Sequence, residues 1–241
     1  MGQYYTALVI EEDNTIKKLD PHKFDSFYKI WEHAWIGNHC VNAAYALIHN
    51  KPCKVAWIGD YSKSLYEADG DASKAAREPQ LHDIMPGLAE AAGIKPKHRK
   101  VCPAWMKMMP YKQFQKLYDI AWGEAKSMRA SDFTKEQLTL VRLDTKGTYL
   151  VNHDLKCYLN MADYICGSVK ENGMCFNPLP ILTACGNGLG NGDYEGQSCS
   201  DDVGTWAFHR LEYTDRIPEG YSEKKYCFIE DRDTCTISIS V

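Results

Sequence analysis

The alternation of apolar and polar positions opens on a hairpin. Residues 4–10 are rich in β-branched and aromatic side chains, Glu12-Asp13-Asn14 supplies turn residues, and residues 16–19 return as a second strand. After Asp20-Pro21 the period lengthens. Phe24, Phe27, Tyr28, Trp31, Ala34 and Trp35 recur at three- and four-residue steps, which predicts a helix burying these side chains and stopping at Gly37. Asn38 is placed to cap a second helix whose apolar stripe is Val41, Ala44, Tyr45 and Ile48. Residues 53–58 are apolar on both faces, as in a central strand. Pro110 suits the first turn of a third helix, with Phe114, Leu117, Tyr118, Ala121, Trp122 and Ala125 inward.

Beyond Ser131 the pattern becomes mostly β. Residues 138–143, 148–151 and 155–159 read as a meander, with turns at Lys146-Gly147 and Asn152-His153-Asp154. Residues 206–213, 226–230 and 234–241 read as further strands, the last alternating Cys235, Ile237, Ile239 and Val241 with Thr and Ser. Hairpins outnumber βαβ units. The expected fold class is therefore α+β: a single domain over residues 1–241, its largely antiparallel sheet built of hairpins with three main helices packed on one face. Residues 62–83 read as a polar surface excursion, and residues 166–205 as a loop-rich segment.

Composition bounds the function classes. With 241 residues, 44% hydrophobic and 25% charged, the chain has the make-up of a globular protein with one sizeable core. A formal net charge of −4 calls for neither a polyanion nor a membrane surface as partner. No run approaches the roughly 20 apolar residues that span a bilayer. Met1-Gly2-Gln3-Tyr4-Tyr5 lacks the basic start of a secretory signal, and Glu11, Glu12 and Asp13 soon interrupt the apolar run, so a cytoplasmic location is expected. The ten cysteines spread from Cys40 to Cys235 without a C-x-x-C pair, and are expected to be reduced, mostly buried thiols. Neither a metal nor a cofactor is expected.

Several strings carry a resemblance. They are the opening Met1-Gly2-Gln3-Tyr4-Tyr5, then Glu32-His33-Ala34-Trp35-Ile36-Gly37-Asn38, Trp57-Ile58-Gly59-Asp60-Tyr61 and Tyr149-Leu150-Val151-Asn152-His153. Pro178-Leu179-Pro180-Ile181-Leu182-Thr183-Ala184 and the glycine run from Gly186 to Tyr194 complete them. Together they resemble a family of bacterial and bacteriophage proteins that begin Met-Gly-Gln-Tyr-Tyr and have no established activity. The resemblance implies a bacterial or phage cytoplasm and nothing catalytic. The family tends to read Trp-Ala-Gly-Asp where this chain has Trp206-Ala207-Phe208-His209, which puts any site built on that aspartate in doubt.

Three constellations are candidates for chemistry. Cys40, in the first turn of the helix capped by Asn38, followed later by His153 and Asp154, has the chain order of a papain-like hydrolase. The helix dipole would lower the thiol pKa, with His153 as base and Asp154 orienting it. The plainer reading makes Cys40 core and His153 a solvated turn residue. Gly186, Gly188, Gly190 and Gly192, ending in Asp193, could aim successive N–H groups at a phosphate-bearing ligand, or simply form a wide turn. Third, residues 91–118 carry seven Lys or Arg and no acid, whereas residues 193–233 carry eleven acids against five bases. Lys95, Lys97, Arg99, Lys100, Trp105 and Lys107 make a basic, aromatic candidate surface, although the apolar residues among them could equally be core.

The leading expectation is a non-enzymatic binding protein that engages a protein or nucleoprotein partner through that basic and aromatic surface. A phage-encoded inhibitor of a host nucleoprotein or defence complex is one concrete form. The alternative is a small enzyme, either the Cys40–His153 hydrolase or a phosphate-ligand enzyme using the glycine loop.

Overall fold

Strand β1 (Tyr5–Ile10) sends alternate side chains to opposite faces of the sheet, and both faces are covered. Tyr5, Ala7 and Val9 enter one apolar cluster, while Leu8 enters another with Ile10 packed on it. The computed structural model describes residues 3–33, 35–63, 104–142, 144–165, 177–186 and 202–226. β2 (Ile16–Leu19) pairs antiparallel with β1, closing the expected hairpin. On its other side β1 pairs antiparallel with β3 (Cys53–Gly59), whose Cys53, Val55 and Trp57 face the first cluster and whose Ala56 and Ile58 face the second. The expectation of a central strand with two apolar faces fits this position.

The full order is β4-β2-β1-β3-β8-β5-β6-β9, with β7 also on β3. β5 (Tyr149–Asn152), β6 (Cys157–Asn160) and β8 (Arg210–Thr214) join antiparallel. Three two-residue strands, β4 (Ser127–Met128), β7 (Ala184–Cys185) and β9 (Ser222–Glu223), pair parallel with β2, β3 and β6. The sheet is thus mixed, its parallel pairings being confined to these two-residue strands and its other pairings antiparallel. The parallel pairings come from short returning segments that carry no strand-length pattern of their own.

The helices also depart from the expected arrangement on one face. α1 (Ile30–His33) is a single turn, and α2 (His39–Leu47) begins at Asn38, whose Oδ1 accepts from Val41 N at 3.1 Å. α2 buries Cys40, Val41, Ala43, Ala44 and Tyr45 in the first cluster. α3 (Tyr111–Trp122) lies against the opposite face, placing Phe114, Leu117 and Ala121 in the second cluster with Lys112 and Lys116 outward. Buried Lys18 reaches from β2 to the end of α3, its Nζ donating to Gly123 O at 2.9 Å.

Two sequence expectations fail for identifiable reasons. The helix expected across 24–35 is replaced by a 3-10 turn, Pro21–Phe24, ended by Asp25 at φ +53°, and only then by α1. Tyr5 N donates to Tyr28 O at 2.7 Å, and Tyr28 OH donates to Asp20 Oδ1 at 3.0 Å, so the chain at Tyr28 is tied to β1. Residues 138–142 are not a strand. Thr134 and Gln137 form a capping box for α4 (Lys135–Leu138). Beyond it Val141 finds its strand-like partners on a side chain: its N–H donates to Asn42 Oδ1 at 2.8 Å and its carbonyl accepts from Asn42 Nδ2 at 3.4 Å.

α5 (Met161–Ile165) follows β6, and α6 (Pro178–Leu182) starts from Asn177 with every residue buried, inside a segment that reads as loop. The strands expected at 226–230 and 234–241 fall on or beyond Tyr226, the last described residue; Tyr226 itself is not in a strand. The polar excursion at 62–83 lies outside the described residues except for Ser62 and Lys63. No helix among the described residues is long and apolar enough to cross a membrane.

Candidate functional site

Cys40 and His153 have separate surroundings. The Cys40 side chain is fully buried in the first cluster, where its Sγ lies 3.9 Å from Leu19 O. Burial, with the Asp20 charge a smaller contribution, pushes this thiol far above its usual range. That is opposite to the helix-dipole expectation, because loss of water outweighs the half-charge of a helix end for a sulfur sealed in apolar packing. Cys53, Cys157 and Cys185 are likewise free, buried thiols with raised pKa.

His153 is engaged by other partners. Its Nε2 donates to the Glu212 carboxylate at 2.8 Å, and its Nδ1 lies 3.1 Å from the Tyr221 hydroxyl. Asp154 does not orient it. Burial opposes ionisation of Asp154, but its carboxylate accepts from both Arg210 N and Arg210 Nε at 2.8 Å, which holds its pKa below the ordinary value. Asn152 completes the knot. Its Oδ1 accepts from the N–H groups of Asp154 and Leu155, so its Nδ2 faces His209 Nδ1 at 2.9 Å and donates there. That contact assigns the neutral His209 proton to Nε2, and burial lowers the His209 pKa.

Phe208 precedes this histidine at φ +64°, a left-handed conformation that bulky residues rarely adopt. Glycine would occupy such dihedrals without penalty. Here the turn is held by Phe208 N donating to Val55 O at 2.9 Å and by the ring packing edge-on to Phe114. The cluster of Asn152, His153, Asp154, His209, Arg210, Glu212 and Tyr221 therefore ties the β5–β6 turn to β8 and to the approach to β9. Its hydrogen bonds close on themselves, which is the chemistry of a lock.

The other sequence candidates divide in the same way. Gly186 is closed off: an added Cβ would overlap the Tyr5 hydroxyl, and Trp105 Nε1 donates to Gly186 O at 3.2 Å. Gly188, Gly190, Gly192 and Asp193 lie outside the described residues. Trp105 is buried in the second cluster against Phe114, with ring centroids 4.9 Å apart, so it is no surface contact. Lys107 ends the 3-10 turn Ala104–Lys107, and Lys95, Lys97, Arg99 and Lys100 lie outside the described residues. Among the described residues no group of three or more His, Cys, Asp or Glu is placed to hold a metal ion.

What the sequence pattern missed is a surface depression of about 370 Å³ where the expected long helix is broken. Its walls include Phe27, exposed to 69%, and Trp35, exposed to 44%, with Asp25, Glu32 and His39 around them. Asn38 holds the structure beneath: besides capping α2, its Oδ1 accepts from Ser26 Oγ at 3.3 Å and its Nδ2 donates to Glu32 O at 3.3 Å. The left-handed Asp25 and Gly37, at φ +53° and +92°, turn the chain on either side. The detectable signals were Asp20-Pro21, which starts a turn of helix, and Asp25-Ser26, which favours ending it. The helical period of the aromatic residues pointed the other way. No protein-family model, curated protein or solved structure matches the chain.

Proposed function

We propose that this chain is a binding protein of a bacterial or phage-infected cytoplasm, and that the depression around Phe27 and Trp35 is its contact surface for a macromolecular partner. The observation that carries the reading is that two large, exposed aromatic side chains line one depression. Aromatic anchors that bury on association dominate the energetics of protein interfaces, and a preformed depression lowers the ordering cost of binding. The surface differs from the basic one read from the sequence, since Trp105 is a core residue. The self-contained hydrogen bonding of His153 and the sealed Cys40 thiol favour binding over hydrolysis.

Affinity capture from a bacterial extract tests the proposal. Phe27→Ala/Trp35→Ala should recover partner at least about tenfold less well than the unaltered chain. A control pair at two other exposed apolar positions, Leu155→Ala/Ile217→Ala, should recover it normally. Undiminished capture by the Phe27/Trp35 variant would show that the contact surface lies elsewhere.

A further inference from the structure

The depression is acidic as well as aromatic. Asp25 is exposed at its rim, and its carboxylate makes no hydrogen bond or ion pair with another described residue. Glu32 lines the same space, with Oε2 accepting from Lys29 N at 3.1 Å. No lysine or arginine lines it. Resting on the contact-surface reading above, we infer that the group seated between Phe27 and Trp35 is an arginine side chain of a protein partner.

The chemistry of the walls selects among occupants. A purely apolar side chain would cover the Asp25 carboxylate and strip its water without returning a partner. A phosphate or nucleic-acid backbone would meet two carboxylates of its own sign. A lysine ammonium satisfies the charge, but it is a compact and strongly hydrated point. A guanidinium has a flat face that stacks on Trp35 or Phe27 and an edge of N–H donors that a carboxylate accepts in pairs. Its weaker hydration also makes transfer into an aromatic-walled depression less costly than for an ammonium. Asp25, held in the left-handed region at the end of a 3-10 turn, lines the same depression as the two rings and offers such a carboxylate there.

Blocked tripeptides test the assignment on the full chain. Gly-Arg-Gly, Gly-Lys-Gly and Gly-citrulline-Gly are titrated while the Trp35 indole N–H resonance, assigned with Trp35→Phe, is followed by NMR. The arginine peptide should shift that resonance, and the citrulline peptide, of the same shape but uncharged, should bind about tenfold more weakly. Lysine should fall between them. Asp25→Asn should weaken the arginine peptide by about tenfold and leave the citrulline peptide unchanged. Equal binding of arginine and citrulline, or no Trp35 shift with arginine, would overturn the inference. If arginine fails while Phe27→Ala/Trp35→Ala still loses partner in the capture experiment, the contact surface stands and the arginine assignment alone falls. If capture is undiminished in that variant, the contact surface itself falls.

Discussion

At His33 the ring is fully buried, and its partners fix the proton. Trp57 Nε1 has only a hydrogen to give and lies 2.8 Å from Nδ1, so Nε2 carries the ring proton and donates to Phe27 O at 2.6 Å. Burial lowers the His33 pKa from 6.5 to about 4, against the smaller opposing effect of the Phe27 carbonyl. The unfolded chain therefore takes up a proton through pH 6.5 that the folded chain refuses until about pH 4. Stability from this residue is intact above about pH 7 and falls through that window by roughly 3 kcal/mol. Urea unfolding at pH 7, 5.5 and 4.5 should show the decline, and His33→Gln, which offers both a donor and an acceptor, should flatten it. The lowered His209 pKa adds to the fall with the same sign. The four described thiols give a complementary test. Cys40, Cys53, Cys157 and Cys185 should resist iodoacetamide in the folded protein and react once urea unfolds it, as read by mass spectrometry. The wide spread of the cysteines, with no C-x-x-C pair, made free thiols legible beforehand. That Cys40 is unreactive was not legible, because its burial depends on packing of α2 against β1, β2 and β8, which are distant from it in the chain.

Elements were legible where their local signals and their tertiary partners agree. Asn38 is the clearest case, since the cap read from the sequence is the cap present. Asn38→Ala should cost about 1 kcal/mol in thermal or urea unfolding. Asn38→Asp should recover most of that loss while still lacking the Nδ2 link to Glu32 O. At β7, Gly186 is required by packing and not by dihedral freedom, because the Tyr5 hydroxyl occupies the space of a Cβ. Gly186→Ala should destabilise by about 2 kcal/mol, and Tyr5→Phe in the same chain should relieve part of the loss. A rescue that fails would place the strain elsewhere. The 24–35 segment shows why periodicity alone misleads. Its aromatic residues keep a helical spacing, yet the hydrogen bond from Tyr5 to Tyr28 O and the left-handed Asp25 divide the backbone between a 3-10 turn and one turn of helix. Aromatic side chains that would have shared one buried face then separate, with Phe24 in the core and Phe27 outside.

The molecule is organised by one mixed sheet with apolar packing on both faces, and its far side is tied by the His153 knot. His153 and Glu212 are both mostly covered, at 17% and 16% side-chain exposure, so water competes little for their hydrogen bond. His153→Ala leaves Glu212 without its ring partner and Tyr221 without its anchor. It should destabilise the fold by about 1–3 kcal/mol. Amide exchange should rise at Ser222 and Lys224, whose N–H groups hold β9 against β6 through Lys156 O and Tyr158 O. Phe27→Ala should leave unfolding free energy within about 0.5 kcal/mol of the original, because a side chain exposed to 69% buries little on folding. That contrast between a stability residue and a contact residue is measurable in the same urea series.

The sequence by itself determined the β1–β2 hairpin, the β3 strand with two apolar faces, the Asn38 cap, the α3 stripe and the β5–β6 turn. Each is set within a few residues, by alternation, period or a capping side chain, and needs no distant partner to be recognised. Tertiary structure alone decided the parallel additions of β4, β7 and β9, the replacement of a strand by Asn42's contacts with Val141, and the separation of Cys40 from His153. It also decided which aromatic residues reach solvent. Burial, hydrogen-bond partners and the resulting pKa shifts belong to the space between elements, where residues far apart in the chain compete for the same backbone groups and the same apolar volume.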